Sequence, residues 1–254
     1  ITLSQYSSYA NFYDLDQGKI QPGEVEFVIH MADIFGSKIM ELGAGTGRLS
    51  IPLAQSGFEV TAVDQEIEML LVGIRKMSRL LPGKPPIWLC SDAIQLGISG
   101  NYNLVLLMNN FLFELFPQYM PLSLREARRV LASNGRIILE VFNPHQMHLE
   151  QLNGWKRLIG EYKVNDQFIR VTGATLVDFS AHIIDLKLTH EIYNPYLSDM
   201  PTITSSSLTH HYLDNQQICK LLQDEKWNIE AIYGGFSFEP FDPIESPKMI
   251  YICN

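Results

Sequence analysis

Three glycines and two acids within one short stretch carry the first chemical signal. In KIMELGAGTGRLSIPLAQSGFEVTAVD, residues 38–64, Gly43, Gly45 and Gly47 alternate through E-L-G-A-G-T-G, with Glu41 before them and Asp64 at the far end. Glycine lacks a Cβ, so the backbone can turn sharply and touch a ligand that a side chain would push away. A carboxylate 21 residues after Gly43 is placed to accept hydrogen bonds from the hydroxyls of a ribose, the logic of nucleoside-binding strand–helix–strand units. The dinucleotide pattern G-x-G-x-x-G needs glycine at position 48, where this chain has Arg48, so NAD and NADP are not expected.

The elements that must position these residues follow from the apolar pattern. Residues 38–42 read as a strand. Residues 49–55 read as a helix with Pro52 tolerated in its first turn and Gly57 at its end, and residues 58–63 as a second strand. A helix over 24–35 precedes them, with Val25, Val28, Ile29 and Ala32 on one side. A helix over 65–80 follows, ended by Pro82-Gly83, then a third strand at 87–90 and a fourth at 103–108. Ligands of open parallel sheets gather outside the carboxyl ends of strands where the strand order reverses, which is the address of Met108, Asn109 and Asn110. A helix over 121–131, a turn at Asn134-Gly135 and a fifth strand at 136–142 come next. Residues 143–213 look inserted: Ile184, Leu186, Leu188 and Ile192 alternate with polar residues, and 168–179 and 203–212 are strand-like, which fits two or three antiparallel strands. Asp214 and Gln217 make a capping box for a helix, and residues 228–233 and 248–253 supply the last strands.

Read together, E-L-G-A-G-T-G, V-D-x-x-x-x-M-L at 63–70, S-D-A at 91–93 and the closing strands at 227–253 resemble class I S-adenosylmethionine-dependent methyltransferases of the small-molecule type. The resemblance covers roughly residues 6–253. It implies a doubly wound, Rossmann-like α/β sheet of about seven strands with the last antiparallel, S-adenosyl-L-methionine as cofactor and S-adenosyl-L-homocysteine as product. Residues 1–142 and 214–254 would form the cofactor-binding core with an N-terminal helical lid, and 143–213 a small β insert covering the substrate. On the matching positions, the resemblance gives the cofactor Glu41, Gly43, Ala44, Gly45 and Gly47 of the loop. It adds Asp64, Gln65 and Met69 after the second strand, Asp92 and Ala93 after the third, and Met108 and Asn109 after the fourth.

Several of these positions have a plainer reading beside the functional one. Tyr6, Tyr9 and Tyr13 share one helical face, which suits either a lid over the cofactor, with Tyr13 touching it, or an ordinary packed helix. Met69 can pack on an adenine or in the core. Asp92 can accept from the adenine amine or cap a short turn.

For catalysis, a hydroxyl acceptor must lose a proton, whereas an amine need only arrive neutral. Many small-molecule relatives carry a histidine about five residues after the fourth strand. This chain has Glu114 in N-N-F-L-F-E-L, which makes Glu114 the first candidate for a base or an amine-orienting carboxylate, against the alternative of a solvated helix residue. Tyr13, His210 and His211 complete the catalytic candidates, although adjacent histidines on a strand point to opposite faces and at most one reaches the cleft. His145 and His148 follow the fifth strand near the same mouth. No histidine, cysteine or acid spacing suggests a metal. The stretch M-N-N-F-L-F lacks the Asn-Pro-Pro-Tyr/Phe signature of enzymes that methylate planar exocyclic amines, which argues against base or amide methylation.

Composition bounds the partners. The 254 residues are 46% hydrophobic and 19% charged, ordinary for a globular protein. The net charge of −9, with the densest basic patches at 75–79 and 125–129, disfavours nucleic acid. No apolar run has membrane-spanning length and no leader is evident, while the opening Ile1 leaves room for a trimmed N-terminal piece. Cys90, Cys219 and Cys253 are far apart and expected to be reduced and buried in a cytoplasmic protein. The leading function is therefore methyl transfer to the oxygen or nitrogen of a small molecule. The alternatives are a protein or nucleic-acid methyltransferase and a non-catalytic S-adenosylmethionine-binding protein.

Overall fold

The run 38–42 is buried on both faces because helices cover both sides of the sheet it enters, as parallel strands require. The computed structural model describes residues 6, 10–16, 18–80, 83–164, 166–194, 196 and 200–254; Tyr9 and Pro82 of the expectations above lie outside them. The chain begins with α1 (Tyr13–Asp16) and α2 (Glu24–Phe35), then β1 (Lys38–Leu42), α3 (Ser50–Gln55), β2 (Glu59–Asp64) and α4 (Ile67–Met77). β3 (Ile87–Cys90), β4 (Tyr102–Leu107), α5 (Phe111–Glu114), α6 (Met120–Val130) and β5 (Leu131–Phe142) follow. After α7 (Leu149–Leu152) come β6 (Lys156–Val164), β7 (Gln167–Asp178), β8 (Ile183–Tyr193) and β9 (Thr202–His211). The chain closes with α8 (Asn215–Asp224), β10 (Ile229–Tyr233) and β11 (Lys248–Cys253).

The main sheet has seven strands in the order β10-β11-β5-β4-β1-β2-β3. Its strands run parallel except β11, which is antiparallel to both β5 and β10. Because β1 lies between β2 and β4, the chain winds outward from it in both directions, and a crevice opens beyond the carboxyl ends of β1 and β4. Phe27, Val28, Leu49 and Leu53 cover one face of the sheet; Leu124, Ala127, Ile218 and Leu222 cover the other. Each of these side chains other than that of Ala127, fully buried, contributes about 1.5–3 kcal/mol. Asp214 and Gln217 form the expected capping box at the start of α8.

Two local expectations are corrected. Asn134-Gly135 does not interrupt the chain: α6 runs directly into β5, and the partner of β4 jumps from Leu131 opposite Tyr102 to Arg136 opposite Leu104. The extra residues are absorbed as a bulge at Gly135, where an added Cβ would lie 2.8 Å from the Tyr102 carbonyl. The second sheet has four strands, β6-β7-β8-β9, instead of two or three. β6 escaped notice because its register shifts between Leu158 and Gly160, which breaks the period-two pattern.

The N-terminal segment is tied down by side chains more than by helix, since α1 has only four residues. Ala10 and Tyr13 pack with Met69 of α4 and with Ile169, Val171, Leu188 and Leu208 of the second sheet. Phe12 stacks on His190 at 4.8 Å. Asp14 accepts from the Thr46 hydroxyl (2.7 Å) and pairs with Lys76 (2.9 Å). The cysteines are free, but of the three only Cys253 is buried; Cys219 is half-buried and Cys90, on the edge strand β3, is exposed.

Candidate functional site

A cavity of about 480 Å³ occupies the crevice beyond β1 and β4. At one end, Gly43 and Gly45 turn the chain with φ of +70° and +56°, the left-handed region that L side chains rarely adopt. A Cβ on Gly43 would sit 2.2 Å from the Phe111 ring, so the loop approaches α5 as closely as it can only without a side chain. Asp64 braces this turn: its Oδ2 accepts from the Gly45 N–H (2.7 Å) and its Oδ1 from the Glu66 N–H (2.8 Å). Burial nevertheless pushes its pKa up to about 6, the two backbone donors working against that rise. Gln65, Glu66 and Met69 continue the wall, and Ser91, Asp92, Ala93 and Ile94 close it from beyond β3. Asp92 both faces the cavity and caps a turn, accepting the Ile94 N–H at 3.0 Å.

The other end is built at the carboxyl end of β4. Asn109 and Asn110 both have positive φ, 56° and 65°, a strained pair tolerable for Asn. Buried Glu140 of β5 holds them: its Oε2 accepts the Asn109 N–H (2.6 Å), its carbonyl accepts the Asn110 N–H (3.2 Å), and Lys248 of β11 neutralises the carboxylate. That double turn aims α5 so that Glu114 reaches the cavity, with Leu115, Phe116 and Tyr119 beside it. Tyr6 donates to Glu114 Oε1 at 2.8 Å, and Asn109 Nδ2 donates to the Tyr13 hydroxyl at 3.2 Å. Tyr6 and Tyr13 meet edge to face at 5.9 Å and roof the space between the two ends. Glu114 lines the cavity and is half-buried. Burial pushes its pKa up to about 8, the Tyr6 hydrogen bond opposing and the charge of Asp64 adding to the rise.

Tyr13, Gly43, Gly45, Asp64, Gln65 and Met69 therefore share one cavity with Asp92, Ala93, Met108, Asn109 and Glu114. Glu41, Ala44 and Gly47 stand behind the loop. Glu41 is buried, accepts from the Ser50 hydroxyl, and is pushed up to about 7 by burial. Ala44 donates its N–H to the Val63 carbonyl, and Gly47 packs under Trp88. His210 and His211 lie outside the lining. His210 sits against Phe142, held to about 4 by burial and then by His211; His211 packs on Phe116 at 5.0 Å and faces a shallower depression with His182 and Tyr212. His145 and His148 are not in the lining either. Arg48, in place of the third glycine, forms a buried ion pair with Glu24.

Phe111, Phe116, Tyr119 and the Glu140–Lys248 brace went unread. For Glu140 a signal existed, because an acid inside the apolar run I-I-L-E-V-F of a central strand must have a partner. Among the described residues no group of His, Cys, Asp and Glu could hold a metal, and no helix is long and apolar enough to cross a membrane.

Residues 39–135 match the protein family described as a methyltransferase domain. Residues 39–135 therefore carry an S-adenosylmethionine-dependent methyltransferase domain. YqeM of Bacillus subtilis is 37% identical to it over 71 residues, 28% of each chain. The demethylmenaquinone methyltransferase of Paenarthrobacter aurescens is 26% identical over 166 residues, 63% of this chain and 60% of that one. The chain thus spans less than two thirds of either relative's length. In fold, the whole chain resembles the CcbJ methyltransferase of Streptomyces caelestis, with a TM-score of 0.79 and 20% identity over 99% of both chains. The residues of the domain fit the cofactor. The side-chain-free loop leaves room for a backbone-close ligand, Asp64 and Asp92 are acceptors for hydroxyl and amine groups, and Met69 and Ala93 offer apolar contact.

Proposed function

We propose that the protein transfers a methyl group from S-adenosylmethionine to an oxygen or nitrogen of a small-molecule metabolite or natural product. The observation that carries this reading is one cavity with two unlike ends: a glycine-loop cradle with Asp64 and Asp92, and Glu114 with Tyr6 inside aromatic walls. When bound, S-adenosylmethionine supplies a methyl group already activated on a positively charged sulfur and leaves as S-adenosylhomocysteine. What remains for the chain is to hold, align and dry the site. Gly43, Gly45, Asp64, Asp92 and Met69 hold the adenosyl part. Tyr6 and Tyr13 roof the cavity against water. Glu114 accepts the acceptor's proton, and burial has already raised its affinity for one.

A volume of about 480 Å³ suits a nucleoside and a small acceptor, and the relative named for demethylmenaquinone also acts on a small molecule. Residues 1–142 and 214–254 serve as the cofactor-binding core and 143–213 as the cover over the acceptor, a division supported by the packing of the N-terminal segment on the second sheet and of His211 on Phe116. The net charge of −9 and the three free cysteines support a cytoplasmic enzyme acting on no nucleic acid. The test is methyl transfer from labelled S-adenosylmethionine to a panel of metabolites bearing hydroxyl and amino groups, beside thermal shifts with S-adenosylhomocysteine. Product formation with a stabilising shift is expected; a protein that S-adenosylhomocysteine does not stabilise contradicts the reading.

A further inference from the structure

The ionisable lining of the cavity is one-sided. Asp64, Glu66, Asp92 and Glu114 line it, together with Tyr6, Tyr13 and Tyr119, and among the described residues no Lys, Arg or His does. Asp64 is engaged by two backbone donors of the cofactor loop and Asp92 by Ile94, at the end assigned to the adenosyl group. Glu114 stands apart from them. Among the described residues it has one hydrogen bond, from Tyr6 to Oε1, with Oε2 left for a ligand, and Phe116 and Tyr119 supply an aromatic wall beside it. A buried carboxylate with no cation of its own is costly in the charged form, and a ligand that brings a positive charge removes that cost. An alcohol cannot do so, and an anionic acceptor adds repulsion. Aromatic faces next to a carboxylate favour an ammonium further.

Resting on the methyltransferase reading above, we infer that the acceptor is a small amine, docked as its ammonium between Glu114 and the Tyr6–Phe116–Tyr119 wall. The proton account closes on Glu114. Its carboxylate takes one proton from the ammonium and frees the nitrogen lone pair. That pair forms the new carbon–nitrogen bond as the carbon–sulfur pair returns to sulfur. The product leaves as a methylated ammonium, and Glu114 returns its proton to solvent. Before the amine arrives, Glu114 is mostly protonated at neutral pH, with its pKa pushed up to about 8 by burial and then by Asp64. Docking the cation favours the ionised form, so binding expels a proton below that pH. Among the described residues, Tyr6 and Tyr13 from the N-terminal segment, Asp64 and Glu66 from beyond β2, Asp92 from beyond β3 and Tyr119 after α5 are the other ionisable groups on this cavity, and none of them is cationic.

Calorimetry on the protein loaded with S-adenosylhomocysteine tests this with two matched pairs of probes, benzylamine against benzyl alcohol and glucosamine against glucose. In at least one pair the amine should bind roughly ten- to a hundredfold more tightly than its alcohol, the range of one charge-assisted hydrogen bond. Its affinity should climb by up to about tenfold per pH unit toward pH 8, while the alcohol's stays level. Glu114→Gln should erase both the preference and the slope and leave S-adenosylhomocysteine affinity unchanged. Should that variant not fold, the pH profile of the natural chain decides. Alcohols binding as well as amines, neither amine binding, or a flat amine profile overturns the inference. So does weakened S-adenosylhomocysteine binding in Glu114→Gln, since the carboxylate would then serve the ammonium of the cofactor. A natural chain that does not bind S-adenosylhomocysteine at all contradicts the methyltransferase reading itself.

Discussion

The two ends of the cavity are held by different means. The end proposed for the cofactor is made of backbone: positive-φ glycines, and a carboxylate that accepts two N–H groups within 19 residues of itself in sequence. The end proposed for the acceptor is made of side chains brought from afar, Tyr6 to Glu114 across 108 positions and Asn109 to Tyr13 across 96. A loop shaped by its own backbone serves one fixed ligand and tolerates little change. A wall of side chains on a short helix, a turn and an N-terminal segment can be rebuilt for a different acceptor while the sheet beneath stays as it is.

Substitutions should separate the ends. The largest effect is expected at Glu114: Glu114→Gln should slow transfer to the true acceptor by about 10²- to 10⁴-fold in single-turnover kinetics. Gly43→Ala meets both an unfavourable φ and the Phe111 ring. It should cost on the order of 3 kcal/mol, more than a hundredfold in the folded-to-unfolded ratio by urea denaturation. Asp64→Ala should weaken S-adenosylmethionine binding roughly tenfold or more, since it removes charge-assisted acceptors from ribose and loop together. Tyr6→Phe should do least, lowering turnover roughly fivefold by loss of one hydrogen bond to Glu114, with cofactor affinity nearly intact.

Acidity distinguishes the ends more gently. Burial raises Glu114 to about 8, Glu41 to about 7 and Asp64 to about 6. All three hold protons more tightly folded than unfolded, where carboxyls titrate near 4. Their favourable contribution is complete below that value and is lost as pH rises through about 6, 7 and 8 in turn. The unliganded protein should therefore melt at progressively lower temperature between about pH 4.5 and 8.5, and Glu114→Gln should flatten the last part of that slope. A natural chain whose melting point is level across the range would contradict the burial of these groups.

The same contrast explains what was legible in the sequence. β1, the loop, β2, β3 and the capping box of α8 are local, with strand period, glycine placement and cap chemistry all within a few residues, and their bounds were readable almost to the residue. So was the address of Asn109 at the carboxyl end of β4, because strand order in such sheets is constrained. The brace of Glu140 and Lys248 on the Asn109-Asn110 turn spans 108 positions between its partners and has no local pattern beyond one acid in an apolar strand. Arg48 signalled only the loss of a glycine; its use as the buried partner of Glu24 depends on how α2 packs. His210 and His211 show the limit from the other side. Strand alternation placed them on opposite faces, but only the second sheet's position against α5 decides that Phe116 stands between His211 and the cavity.

Titrating S-adenosylhomocysteine calorimetrically into the natural chain, Asp64→Ala and Glu114→Gln tests the two-ended cavity most directly. One-to-one binding is predicted, equal in the natural chain and Glu114→Gln and at least roughly tenfold weaker in Asp64→Ala. No binding to the natural chain, or equal weakening by both substitutions, would contradict it.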